Sequence, residues 1–287
     1  MNILDDFKVQ YRTGGITQQL IFWNVGIAIP FLLLQAFAPA VFQNLLDWLS
    51  LSSVWIDAVK KPWTFITYAF LHAGFWHLLF NMIVLNFSSR LFLTYFTQKQ
   101  FFGLYILGGI FAGILFVVTD LFLQNNSVLV GASGAIMAVL IAAVTYSPMS
   151  EIRLLLIGNV KLWHLGLGLF VLDLIQIPMN NTGGHIAHLG GAFFGFLYIK
   201  SLQSGTDLSK IVSSVIDYFV ILFSPRKSTP FKKVHKNTSR QTITSQPKPQ
   251  KDFTQQQIDD ILDKISKSGY ESLTKEEKEF LFKVGKE

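Results

Sequence analysis

The sequence predicts an all-α integral membrane protein, a bundle of six transmembrane helices followed by a small soluble helical module. Three observations carry this expectation. Of the 287 residues, 51% are hydrophobic and only 15% are charged, against about 25% charged in an ordinary soluble domain, and the mean hydropathy is +0.41. Apolar stretches near the roughly 20 residues that span a bilayer recur along the first two thirds of the chain. Behind them the composition turns basic, with eight Lys or Arg and no Asp or Glu in residues 225–251. The formal charge of +6 is therefore concentrated beside the membrane part. Such a strip suits the anionic surface of a lipid bilayer and gives no reason to invoke nucleic acid. The absence of cysteine excludes disulfides, thiolate chemistry and Cys-based metal sites.

Residues 1–17 carry Asp5, Asp6, Lys8 and Arg12 and read as a cytoplasmic N-terminus. The apolar segment behind them lacks a small-residue cleavage site, so a retained first helix is expected rather than a signal peptide. The expected spans are residues 18–37, 75–95, 101–123, 133–147, 162–178 and 185–202, a membrane domain over 18–202. The fourth and sixth are short or broken by polar and small residues, as suits helices enclosed by others. Residues 39–62 place Val41, Leu45, Leu46, Trp48 and Leu49 on one face, with Trp55 and Trp63 nearby, which suits an amphipathic hairpin lying in the interface of the first external loop. Lys8, Arg12, Arg90, Lys99, Arg153 and Lys161 fall on one side of this topology, against Lys60 and Lys61 on the other. That asymmetry puts both termini in the cytoplasm.

Residues 203–224 hold an apolar face (Ile211, Val212, Val215, Ile216, Phe219, Val220) interrupted by Lys210 and Asp217. An interfacial helix is expected here, since a seventh span would carry the basic strip to the outside. Residues 225–251 read as a disordered linker. In residues 252–287, Ile258, Ile261, Leu262 and Ile265 form a helical stripe, Gly269 stops it, and Thr274 with Glu277 three residues later makes a capping box for a second helix. A small helical hairpin that docks on a cytoplasmic partner is the expectation, because its own core is small.

With the N-terminus inside, the second, fourth and sixth helices all run inward, so their starts share one depth near the outer face. Those starts hold His77 and Asn81, then Ser133, then His185 and His188. Ionisable residues within a membrane are costly and mark functional sites. A serine needs a base within hydrogen-bonding reach to act as a nucleophile, and a histidine at the same depth can be that base. Asn81, His77 and the backbone N–H at the start of the fourth helix are available to bind an oxyanion. Close approach of the fourth and sixth helices is favoured by Gly134, Ala138 and Ala142 on one and by Gly191 and Gly195 on the other, small residues at four-residue intervals.

Gly131-Ala132-Ser133-Gly134, the pair His77 and Asn81, and Ala187-His188-Leu189-Gly190-Gly191 with Gly195 together resemble the signature of the rhomboid intramembrane serine proteases, over roughly residues 63–202. The resemblance implies a rhomboid-like bundle with Ser133 as nucleophile and His188 as base. It also implies an oxyanion hole of Asn81, His77 and the Ser133 amide, with Gly131, Gly134, Gly191, Gly195 and His185 as supporting residues. His188 matches the catalytic histidine because the family's glycines fall three and seven residues after it. The sequence departs from the family in having Thr64 after Trp63, Met137 where many members have an aromatic residue, and no glutamate-containing glycine pattern after the second helix. The C-terminal hairpin resembles an uncharacterised module appended to some bacterial rhomboids.

His72 is expected to be structural, and His185 to sit at the water interface beside Gly183 and Gly184, with hydrogen-bond donation behind the site as the alternative. Asp173 is left outside the site, as a carboxyl on a helix of opposite direction. Other protease chemistries fit poorly: His185-Ile186-Ala187-His188 lacks the glutamate and spacing of a zinc protease, Asp120 and Asp173 have no paired setting, and Ala135 breaks the soluble-hydrolase Gly-x-Ser-x-Gly elbow. The expected function is an intramembrane serine endopeptidase of the cell inner (cytoplasmic) membrane, with transmembrane proteins as substrates, no cofactor and no metal. The alternative is a catalytically inactive relative that binds or escorts membrane clients.

Overall fold

The computed structural model describes residues 2–154, 158–179, 181–223 and 253–284. The expected linker at 225–251 lies outside the described residues. The chain divides into two compact units, Met1–Arg226 and Lys227–Glu287.

The first unit is helical almost throughout. Helices α1 (Ile3–Thr13), α2 (Gly15–Phe37) and α3 (Pro39–Leu49) are followed by a short strand β1 (Leu51–Ser52), α4 (Trp55–Lys60) and α5 (Thr64–Thr67). The expected interfacial hairpin is therefore two separate helices, α3 and α4, joined through β1. Trp48 and Trp63 stack with centroids 5.6 Å apart, and the Trp63 indole N–H donates to the Trp48 carbonyl at 2.8 Å. A 3-10 turn (Tyr68–Phe70) leads into α6 (Phe75–Leu93) across a bend of 99°.

Next come α7 (Gln98–Leu123), β2 (Val128–Leu129), α8 (Ser133–Tyr146), the hairpin strands β3 (Glu151–Leu154) and β4 (Gly158–Lys161), α9 (Leu162–Gln176), α10 (Thr182–Gln203) and α11 (Ser209–Phe223). The start of α7 carries a reciprocal cap between Thr97 and Gln100, which satisfies two backbone donors that a helix start otherwise leaves orphaned. By length and composition α2 and α7 can each cross a membrane, and the bent stretch from Thr64 to Leu93 makes a third crossing if it counts as one span. Helices α8 and α9 are apolar but shorter. This is a membrane protein built around apolar helices.

Helix α8 forms the centre. It packs against α6, α7, α9 and α10, and Gly134 through Leu140 are all buried. Its 14 residues measure about 21 Å, short of the roughly 30 Å hydrocarbon core. A helix of that length can be enclosed by longer neighbours.

The contact between α8 and α10 is at backbone level. A Cβ on Gly191 would run into the Gly134 carbonyl oxygen, and one on Gly195 into the Ala138 carbonyl oxygen. Gly134 itself has a different role from the one expected. A Cβ there would sit 2.7 Å from Ala112 Cβ on α7 and only 3.4 Å from the Ala187 carbonyl on α10. The glycines of α10 admit α8, whereas Gly134 mainly admits α7.

Two strand pairings were not expected. β1 and β2 are antiparallel with Leu51 opposite Leu129, extended by Ser53 N–H to the Ser127 carbonyl at 2.9 Å. This ties the first loop to the segment leading into Ser133. β3 and β4 form a local hairpin with Glu151 opposite Lys161. Helix α11 begins on Asp207, whose Oδ1 accepts from the Ser209 amide at 2.9 Å, the Ser209 hydroxyl at 2.6 Å and the Tyr198 hydroxyl at 3.1 Å. Ser209 is buried against Gly103 of α7, while the apolar side chains further along α11 are exposed.

In the second unit, α12 (Phe253–Ser268) and α13 (Lys275–Val284) are separated by a 3-10 turn (Tyr270–Ser272). Gly269 ends α12 with a φ of +78°. The Thr274 amide donates to Glu277 Oε2 at 2.7 Å and the Glu277 amide donates to Thr274 Oγ1 at 3.3 Å. Lys264 of α12 donates to the same carboxylate at 2.8 Å, so the cap also fastens one helix to the other.

Candidate active site

Ser133 is the first residue of α8, where the leading backbone N–H groups have no intrahelical acceptor. The turn before it depends on Gly131, whose φ is +119° and whose amide donates to the Tyr68 carbonyl at 2.9 Å. A Cβ at Gly131 would lie 2.8 Å from His77 Nε2 and 3.8 Å from Ser133 Oγ. The missing side chain thus leaves room for the His77 ring beside the serine.

His188 stands one and a half turns into α10. Its Nε2 is 2.7 Å from Ser133 Oγ and its Nδ1 is 2.9 Å from Asp173 Oδ1. A carboxylate can only accept, so Nδ1 carries the proton and Nε2 is left to accept from the serine hydroxyl. Serine, histidine and aspartate thus form one continuous hydrogen-bonded line. Asp173 overturns the expectation that placed it outside the site. It sits in the last turn of α9, and the short connection to α10 brings that turn level with the first turns of α10. Opposite helix direction puts the end of one helix beside the start of the next.

His185 takes the alternative of hydrogen-bond donation rather than the favoured place at the water interface: its Nδ1 lies 2.7 Å from the same Asp173 Oδ1, and its side chain is only 12% exposed. Both imidazoles therefore donate to one carboxylate oxygen. Asp173, His185 and His188 each offer one ligand atom, and the three atoms lie within 4.8 Å of one another, a set that could hold a metal ion.

On the other side of Ser133, His77 and Asn81 occupy the first turns of α6. The Asn81 amide donates to the His77 carbonyl at 2.8 Å, which leaves its second N–H free of that bond. The Ala73 amide donates to His77 Nδ1 at 3.3 Å, so the proton of a neutral ring sits on Nε2, the atom facing Gly131 and Ser133. Buried His72 packs edge-on against His77 with centroids 5.1 Å apart and takes no place in the line to Ser133.

All these groups border one cavity of about 900 Å³, lined on its apolar side by Phe31, Phe42, Phe80, Met137 and Leu172. Sequence reasoning names Asp173 but leaves it outside the site. The usable signal was distance along the chain: it is 15 residues before His188, with a helix end, a short turn and a helix start between.

Comparison with known proteins identifies the family of this chain. Residues 59–204, just over half the chain, match the rhomboid domain, and residues 241–286 match a family of unknown function, DUF6576. A stretch of 135 residues is 32% identical to presenilin-associated rhomboid-like protein A, mitochondrial, of Danio rerio, covering 46% of this chain and 35% of that protein. The corresponding proteins of Mus musculus and Homo sapiens are 32% and 31% identical over 139 residues, again over 45% of this chain and 35% of theirs. The similarity spans about a third of the length of those relatives. With its rhomboid domain holding α6 to α10 and every residue of the hydrogen-bonded line, this chain belongs to the rhomboid family.

Proposed function

We propose that this protein is an intramembrane serine endopeptidase that hydrolyses a peptide bond within, or at the outer edge of, another protein's transmembrane segment. The observation that carries the reading is the line from Ser133 Oγ through His188 to Asp173 Oδ1, at 2.7 and 2.9 Å, opening on a cavity of about 900 Å³. The working unit is a triad, one residue more than the Ser133 and His188 dyad expected from the sequence.

Ser133 Oγ attacks the scissile carbonyl carbon while its proton passes to His188 Nε2. Asp173 holds the ring in the tautomer that can accept and stabilises the imidazolium that forms. The negative charge on the former carbonyl oxygen is met by Asn81 Nδ2–H, His77 Nε2–H and the Ser133 amide. Collapse of the tetrahedral intermediate breaks the C–N bond, and His188 gives its proton to the leaving amine. Water then attacks the acyl ester with His188 as base, releasing the new carboxyl end and restoring the serine.

Six membrane crossings with both termini in the cytoplasm, in the cell inner membrane, place Ser133 near the outer face. The site is then reached by water from outside and by substrate from within the bilayer. A substrate helix must open to present a carbonyl, which favours segments weakened by Gly or Pro.

Labelling with a serine-directed fluorophosphonate tests the reading, together with cleavage of a model transmembrane substrate. The parent is labelled and cleaves. Ser133→Ala is not labelled, and Ser133→Ala and His188→Ala each lose on the order of 10⁴-fold or more in rate. A parent that binds the substrate but neither labels nor cleaves would instead be a client-binding, non-proteolytic rhomboid.

A further inference from the structure

We infer that Asp173, His185 and His188 form an inhibitory site for a zinc-class divalent cation, and that its occupation takes the base away from Ser133. Ion binding rests on the geometry alone, whereas the inhibitory consequence rests on the protease reading above.

The donor set comes from two helix ends held together by their short connection. His185 and His188 are three residues apart on α10, which places them on one face, and Asp173 meets both from the last turn of α9. The three donor atoms lie within 4.8 Å of one another. In the hydrogen-bonded arrangement, Oδ1 is 2.7 Å from His185 Nδ1 and 2.9 Å from His188 Nδ1. A tetrahedral zinc ion with bonds of about 2.0–2.1 Å holds its ligand atoms about 3.3 Å apart. The two nitrogens then move off the carboxylate oxygen by roughly half an ångström, within reach of small side-chain rotations.

Two imidazoles and one carboxylate leave a fourth position for water, the open pattern of zinc sites that are not purely structural. That position faces the cavity, which all three residues border, so an ion has a path in. Imidazole donors select zinc, copper or nickel and reject magnesium and calcium. Asp173 is the one Asp or Glu among the residues lining this cavity, and it sits between the two rings.

The inhibition follows from counting protons. In the line to Ser133, His188 carries its proton on Nδ1 and accepts at Nε2. A cation on Nδ1 takes the lone pair of that nitrogen, so the one proton of the neutral imidazole moves from Nδ1 to Nε2. A protonated Nε2 has no lone pair left to accept from Ser133 Oγ and is no base. Asp173 is then bound to the ion and no longer supports an imidazolium. The transfer from Ser133 Oγ that begins the reaction is blocked, and a chelator restores it by removing the ion.

The test uses the full chain in detergent or nanodiscs, first as Ser133→Ala, so that binding is read without any activity. Equilibrium dialysis against Zn2+ is expected to show one site per chain. That site should weaken at least tenfold in His185→Ala and in Asp173→Ala, and remain in His164→Ala, an exposed histidine elsewhere on the surface. Co2+ in place of Zn2+ should give the visible absorption of a tetrahedral ion in Ser133→Ala and lose it in His185→Gln, with thermal unfolding confirming that each variant is folded. In the parent, Zn2+ but not Mg2+ slows substrate cleavage, EDTA reverses this, and His185→Gln is less sensitive relative to its own uninhibited rate. No stoichiometric Zn2+ in Ser133→Ala, or binding unchanged by both ligand substitutions, would overturn the site. Binding that leaves parental cleavage unaffected would overturn the inhibition. Zinc binding by a parent that never cleaves would retain the site and sink the protease reading instead.

Discussion

Asp173 accepts from two rings with one oxygen. For His188 the consequence is a fixed tautomer, and the proposed reaction needs Nε2 free to take the serine proton. Asp173→Asn keeps the shape but can present an N–H to the ring, which favours the wrong tautomer; kcat should fall by up to about 10⁴-fold with KM little changed, read by steady-state cleavage. On the oxyanion side, Asn81→Ala removes one donor and should lower kcat by on the order of 10²–10³-fold without abolishing it. Gly131→Ala tests the turn. The new methyl would meet the His77 ring at 2.8 Å in a backbone with φ +119°, so cleavage should drop while the protein still elutes as a folded species.

At the scale of elements, the α8 and α10 contact is held at carbonyl distance by Gly191 and Gly195. Gly191→Val forces the helices apart against the Gly134 carbonyl, and overpacking of this kind costs about 1–3 kcal/mol or more. A lowered midpoint of thermal unfolding in detergent, together with lost cleavage, is the expected outcome, because the same separation stretches Ser133 from His188. In the C-terminal hairpin, the hydrogen bond from Lys264, followed by that from the Thr274 amide, holds the Glu277 carboxyl below its usual pKa of 4.5. A depressed carboxyl stabilises the folded form at pH above its unfolded value and loses that contribution as pH falls through the folded one. The isolated helicity of residues 253–284 should therefore decline on acidification below the ordinary glutamate range, and Glu277→Gln should flatten the decline in a circular-dichroism titration.

For the whole molecule, every residue of the proposed triad and oxyanion hole lies in the unit Met1–Arg226. Ending the chain after Arg226 should leave the cleavage rate of a model transmembrane substrate unchanged, and a substantial loss would give the second unit a part in catalysis. Helix α8 is enclosed by α6, α7, α9 and α10, and the paired strands β1 and β2 tie the first loop to the segment that leads into Ser133.

The sequence by itself determined the helical membrane class, the helix positions, the pairing of His77 with Asn81, and the candidacy of Ser133 and His188. These follow from hydropathy, from four-residue spacing and from short local motifs, all readable along the chain. It also carried the C-terminal cap of Thr274 and Glu277, because a capping box is complete within four residues. Tertiary structure alone decided what depends on contact between distant segments: that Asp173 bonds His188 and His185, that Gly134 faces α7 more closely than α10, and that Leu51 pairs with Leu129. A carboxylate in an apolar helix has no periodicity to betray its partner, and a two-residue strand has no pattern at all. Their roles appear only when the turn between α9 and α10 and the packing around α8 bring the partners within hydrogen-bonding distance.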